Sequence, residues 1–154
     1  MSVKTIVAIV LMIIAYFIGN ISPATILARA AGKDIKKEGS GNAGATNVLR
    51  VLGAKPAVIT LVIDVLKGFL ATLLGYFAAH AIAEKMFDPI FTPADSYATL
   101  VSAWCGVSVF LGHIWPLIFK TVNHQGPQGV KGTEKEELTL LYFFLFLADL
   151  VSLQ

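Results

Sequence analysis

The residues best suited to chemistry lie in one polar stretch, Gly39-Ser40-Gly41-Asn42-Ala43-Gly44-Ala45-Thr46-Asn47-Val48-Leu49-Arg50. Gly39, Gly41 and Gly44 let successive backbone N–H groups turn into one concavity, and such a nest holds an anion. Ser40, Asn42, Thr46 and Asn47 add side-chain donors. Arg50 brings a planar, permanently charged fork that grips phosphate or carboxylate with two bonds. A helix beginning near Ala45 would add the partial positive charge of its N-terminus. Together these parts point to the holding of a phosphate group. The spacing fits neither a Walker loop nor a dinucleotide fingerprint. A flexible glycine-rich connector is the plainer reading. Two asparagines, a threonine and an arginine in the same stretch weigh against it.

Three further groupings carry weaker signals. Asp64 and Lys67 stand three apart in an apolar block, so on a helix they share a face and can pair. Charges within a membrane span face protein or water and often mark function, but a structural ion pair explains them equally well. His113 lies in Gly112-His113-Ile114-Trp115-Pro116, where Trp115 and Pro116 suit a membrane interface. By spacing alone a hydrogen-bonded structural histidine is the better reading. Gln125-Gly126-Pro127-Gln128-Gly129-Val130 has the glycines of a backbone-rich loop and reads as a turn. His80 is expected at the far end of the second apolar block, and the single cysteine, Cys105, as a small packing residue. No Cys/His spacing suggests a metal site.

These residues must be positioned by elements that live in lipid. Apolar residues make up 56% of the 154, and charged residues only 14%. Soluble domains carry about a quarter charged residues. A mean hydropathy of +0.73 agrees. The net charge of +2 gives a nucleic-acid role no support. The fold class expected is all-α, a polytopic membrane helix bundle in one domain of three to four spans.

A spanning helix needs about 20 apolar residues. The apolar blocks predict spans over 3–28, 56–83 and 97–119. The block 138–153 is short, contains Asp149 and is marginal as a fourth. The first block turns polar at Gly19, Asn20, Ser22 and Pro23, which suggests that this end lines a buried or wet site. Pro56 suits a helix start. The N-terminal apolar run is read as a retained span and not as a cleaved signal. The first polar loop holds Arg29, Lys33, Lys36, Lys37, Arg50 and Lys55 against Asp34 and Glu38, which places it in the cytoplasm. The N-terminus is then outside, and His113 shares a membrane face with the glycine-rich loop.

The order of these motifs has a precedent. Gly19-Asn20-Ile21-Ser22-Pro23-Ala24, then the stretch from Gly39 to Arg50, then Asp64-Val65-Leu66-Lys67-Gly68, then Gly112-His113-Ile114-Trp115-Pro116 resembles the bacterial membrane glycerol-3-phosphate acyltransferases that use acyl-phosphate, the PlsY family. The resemblance covers residues 1 to about 120. It implies transfer of a fatty acyl group from acyl-phosphate to the 1-hydroxyl of glycerol 3-phosphate, giving lysophosphatidic acid and phosphate, the first acylation of phospholipid synthesis. It implies a seven-span bundle in the inner membrane, a cytoplasmic-side active site, no metal or cofactor, and a soluble phosphate acyltransferase that supplies the donor. Ser40, Arg50 and His113 match the family's catalytic positions. Gly39, Gly41, Asn42, Gly44, Thr46 and Asn47 belong to its phosphate-holding loop.

The resemblance weakens after Phe119. The family follows its histidine motif with a lysine-glycine-glycine-lysine-glycine-valine loop, whose second lysine binds phosphate. Gln128 stands nearest to that lysine and supplies no charge. A lost charge-assisted contact costs about 1.5–3 kcal/mol. Family members also continue through further spans, whereas this sequence stops at Gln154. The rival expectations are a truncated, inactive relative that binds phosphate-bearing lipid without turnover, and a subunit of an organic-phosphate transporter.

Overall fold

The computed structural model describes residues 2–86, 88, 90 and 93–116. Every regular element among them is helical: α1 (Val3–Gly19), α2 (Pro23–Ala30), α3 (Ala45–Leu52), α4 (Ala54–Met86) and α5 (Ala94–Ile114). Three stretches are long and apolar enough to cross a membrane: Val3–Ala30, Ala54–Met86 and Ala94–Ile114. The block 138–153 and Gln128 lie outside the described residues.

Small residues set the packing. The buried face of α4 includes Lys67, Ala71, Gly75, Ala79 and Ala83, a stripe with a period of four residues. Residues so spaced share one helix face. In lipid, where apolar side chains gain little by leaving the surroundings, close backbone approach through small residues drives association. Ala8 and Ala15 of α1 join Ala98, Val101 and Cys105 of α5 against this stripe. A side chain on Gly75 would press on Cys105, one on Gly19 would strike the Val109 carbonyl, and one on Gly112 would strike the Tyr16 carbonyl. The opposite face of α4 leaves Leu61, Val65, Phe69, Leu74 and Phe77 exposed, as a lipid-facing surface requires.

The first block is not one helix over 3–28. It breaks between Gly19 and Pro23. Asn20 closes α1, with its amide donating to the Tyr16 carbonyl at 2.8 Å. Ser22 opens α2 by accepting from the Thr25 N–H, and Pro23 takes the first helical position, where its missing N–H is no loss. The second block begins at Ala54, two residues before the expected Pro56, because Gly53 ends α3 at φ 89° and the chain re-enters a helix at once. Pro56 still falls in the first turn. The third helix runs from Ala94 to Ile114; of the expected span 97–119, residues 117–119 lie outside the described residues.

A second, smaller core fastens the polar loop to this frame. Ala24 and Ala28 of α2, Ile35 of the loop, Val48 of α3 and Ala57 of α4 pack together. Ile35 is thus the apolar anchor of an otherwise polar segment.

Candidate functional site

The loop before α3 is a built structure. Gly39 and Gly41 sit at φ 60° and 72°, in the left-handed region that side chains avoid. Asn47, buried on the first turn of α3, organises them. Its Oδ1 accepts from the Ser40 N–H at 2.8 Å, and its Nδ2 donates to the Ile35 carbonyl at 3.1 Å and the Glu38 carbonyl at 3.0 Å. A Cβ on Gly39 would collide with that same Oδ1. Lys33 braces the other side, donating to the Val51 carbonyl at 3.0 Å and pairing with Glu38 at 3.5 Å.

Asn47 is expected from sequence among the residues that hold phosphate. In the structure both ends of its amide are engaged with the loop backbone, so it shapes the site from behind. Ser40, Asn42, Thr46 and Arg50 are exposed. Arg50 has no hydrogen-bond or ion-pair partner among the described residues, and α3 starts at Ala45 after Gly44, which gives it no side-chain cap. An uncapped N-terminus presents free N–H groups and a partial positive charge. A hydroxyl, a guanidinium and an open helix start are groups suited to an anion.

A second polar cluster lies inside the bundle. Lys67 Nζ is 2.6 Å from Asp64 Oδ1 and 2.9 Å from His113 Nδ1. It also donates to the carbonyls of Ile21 at 2.8 Å and Gly19 at 3.3 Å. The last carbonyls of a helix lack intrahelical partners and carry partial negative charge. Lys67 therefore caps the broken end of α1 from the middle of α4. His113 reaches the cluster from the last turn of α5, whose end is fixed by Tyr16 Oη donating to the Trp115 carbonyl at 2.7 Å. An open cleft of about 180 Å³ begins at Asp64, Lys67 and His113 and continues past Gly68, Gly106, Val109 and Phe110. One end is charged and the other apolar.

Sequence reading pairs Asp64 with Lys67 but has no means to see the Gly19 and Ile21 carbonyls, which lie more than 40 residues away in the chain. The polar break at Gly19–Pro23 is the signal that something charged had to meet it. No hydrogen bond or ion pair among the described residues joins Ser40 or Arg50 to the Asp64–Lys67–His113 cluster. The two clusters share a frame through α2, α3 and α4.

Residues 9–148 match the family model for glycerol-3-phosphate acyltransferase. The chain belongs to the glycerol-3-phosphate acyltransferase family. It is 40% identical over 124 residues to the glycerol-3-phosphate acyltransferase of Clostridioides difficile strain 630, a match covering 79% of this chain and 53% of that one. To the Pseudomonas putida GB-1 enzyme of the same name it is 40% identical over 134 residues, covering 86% and 60%. A crystal structure of PlsY, an integral membrane glycerol 3-phosphate acyltransferase, in its glycerol 3-phosphate form, is similar at a TM-score of 0.54 and 34% identity, over 73% of this chain and 48% of that one. The chain thus spans about half to three-fifths of the length of the relatives it matches. The expected all-helical membrane fold and the expected family both hold.

Proposed function

We propose that this chain transfers a fatty acyl group from acyl-phosphate to the 1-hydroxyl of glycerol 3-phosphate, giving lysophosphatidic acid and inorganic phosphate. The observation that carries the reading is Arg50, exposed in the last turn of α3 and without an ion-pair partner among the described residues, on the helix whose uncapped start follows Ser40 and the glycine-rich loop. In a member of this family, that arrangement is the place for a substrate phosphate. Gly39, Gly41, Asn42, Gly44 and Thr46 complete the loop around it.

Both substrates carry phosphate, so two anions must sit close together. The 1-hydroxyl oxygen forms a bond to the acyl carbon, the bond from that carbon to the phosphate oxygen breaks, and phosphate departs with the hydroxyl proton. Phosphate is a good leaving group, so positioning and stabilisation of developing charge can supply most of the acceleration. His113, at the charged end of the cleft, sits where an acyl carbonyl or phosphate oxygen would need a partner, and the apolar end suits the first carbons of a fatty chain. The excess of lysine and arginine in the loop supports a site on the cytoplasmic side with the N-terminus outside, and the family resemblance supports a bacterial inner membrane. A soluble phosphate acyltransferase is the partner such a donor calls for.

The test is product formation by the purified chain in detergent, supplied with labelled glycerol 3-phosphate and either palmitoyl-phosphate or palmitoyl-coenzyme A. Labelled lysophosphatidic acid with the first donor and none with the second supports the reading. Retention of glycerol 3-phosphate without product from either donor would replace it with a binding role.

A further inference from the structure

The polar cluster inside the bundle specifies more than proximity. Four atoms surround Lys67 Nζ: Asp64 Oδ1 at 2.6 Å, the Ile21 carbonyl at 2.8 Å, His113 Nδ1 at 2.9 Å and the Gly19 carbonyl at 3.3 Å. The carboxylate and the two carbonyls can only accept. A charged ammonium has three protons to donate and no acceptor, whereas a neutral amine has two. Lys67, buried at 7% exposure, therefore donates its three protons to the two carbonyls and to His113 Nδ1, while the Asp64 carboxylate faces it as a counter-charge. That fixes the imidazole. A nitrogen 2.9 Å from an ammonium must offer its lone pair, so Nδ1 of His113 carries no proton. The alternative partner for an Nδ1 proton, Asp64 Oδ1, is 3.5 Å away and makes no hydrogen bond with it. A neutral imidazole with a bare Nδ1 holds its proton on Nε2, and Nε2 has no hydrogen-bond partner among the described residues.

We propose that Lys67 is a positioning residue that holds His113 as the Nε2–H tautomer, committing this histidine to donate a hydrogen bond to an anionic oxygen in the cleft and not to take up a proton as a general base. Asp64 keeps the lysine in place, and the broken end of α1 supplies the remaining acceptors. That the oxygen belongs to an acyl-phosphate or glycerol 3-phosphate rests on the acyltransferase reading. The tautomer does not.

The experiment is nitrogen NMR of the imidazoles of the full 154-residue chain, labelled at histidine, in detergent at neutral pH. The His113 signals are assigned by their loss in His113→Gln. The result expected is a pyridine-type Nδ1 and a pyrrole-type Nε2 bearing the proton. An Nδ1–H tautomer or an imidazolium overturns the proposal. In Lys67→Met, with helicity checked by circular dichroism, His113 is expected to lose this bias and show averaged shifts. An unchanged tautomer in that variant overturns the assignment to Lys67. Should the variant not fold, the unsubstituted protein alone still decides the tautomer. Turnover gives a second readout where the chain is active. His113→Gln keeps an N–H donor and is expected within about tenfold of the original kcat, while His113→Ala loses about a hundredfold, the usual cost of removing one donor to a developing charge. Equal loss in both points to proton abstraction and contradicts the donor role. Failure of all turnover with the tautomer intact would count against the acyltransferase reading only.

Discussion

The Ser40 backbone N–H donates to Asn47 Oδ1 at 2.8 Å, and this bond gives the glycine-rich loop a fixed shape. It joins the exposed Ser40 to the first turn of the helix that carries Arg50. Because Nδ2 of the same amide holds the Ile35 and Glu38 carbonyls, one side chain organises the loop from 35 to 40.

Asn47→Ala should therefore undo the loop while sparing the bundle. Three bonds are lost and their backbone partners are left unsatisfied in a part-buried place, at a cost of about 2–3 kcal/mol. Local opening should rise by roughly thirtyfold or more, since each 1.4 kcal/mol is about tenfold. Trypsin cleavage after Lys36 and Lys37 reads this directly. Unchanged cleavage would mean that Asn47 does not hold the loop.

Gly39→Ala and Gly32→Ala separate strain from collision. Both glycines are left-handed, at φ 60° and 70°, so each variant bears about 1–2 kcal/mol of backbone strain. Only at Gly39 does the new Cβ meet Asn47, while at Gly32 it meets open space. Gly39→Ala should weaken glycerol 3-phosphate retention at least tenfold more than Gly32→Ala, as measured by equilibrium binding of the labelled compound.

Cys105 is the single cysteine of the sequence, and it is buried at the α4–α5 contact. A thiol-reactive fluorophore therefore reports opening of the bundle without further engineering. Gly112→Ala drives a methyl into the Tyr16 carbonyl of α1, an overpacking worth about 1–3 kcal/mol. Its midpoint of thermal labelling should fall by several degrees. Gly68→Ala, whose Cβ meets nothing, should leave that midpoint within a degree or two.

The cleft makes a separate prediction about chain length. Gly68 lines it, and a side chain there would grow into free space. Gly68→Leu should raise KM for palmitoyl-phosphate several-fold and leave KM for glycerol 3-phosphate unchanged. Equal changes in both would mean that the acyl chain lies elsewhere.

Sequence and structure meet most closely where local chemistry decides. The start of α3 at Ala45 follows from the small residues before it, and the glycines at 39 and 41 take the left-handed conformations that only they accept cheaply. The break after Gly19 was half legible. Its polar residues were visible, but a Ser-Pro pair within an apolar run does not by itself say whether a helix bends, lines a cavity or stops. Asn47 looked like a ligand because an asparagine in a glycine-rich loop reads the same from either side, and only the fold shows which way its amide is turned. The contact of Lys67 with α1 and α5 was out of reach, since neither periodicity nor spacing relates residues in three different helices.

Arg50 carries the central claim, because its charge faces outward and among the described residues nothing else uses it. The most direct measurement is lysophosphatidic acid formation from palmitoyl-phosphate and labelled glycerol 3-phosphate by the original chain, Arg50→Lys and Arg50→Ala. The account predicts product from the original chain, and a loss of about a hundredfold or more in kcat/KM in Arg50→Ala, the value of a charged contact of about 3 kcal/mol. Arg50→Lys should fall between them, because a lysine keeps the charge and loses the two-pronged grip. Undiminished turnover in Arg50→Ala, with Cys105 still protected, would contradict the account.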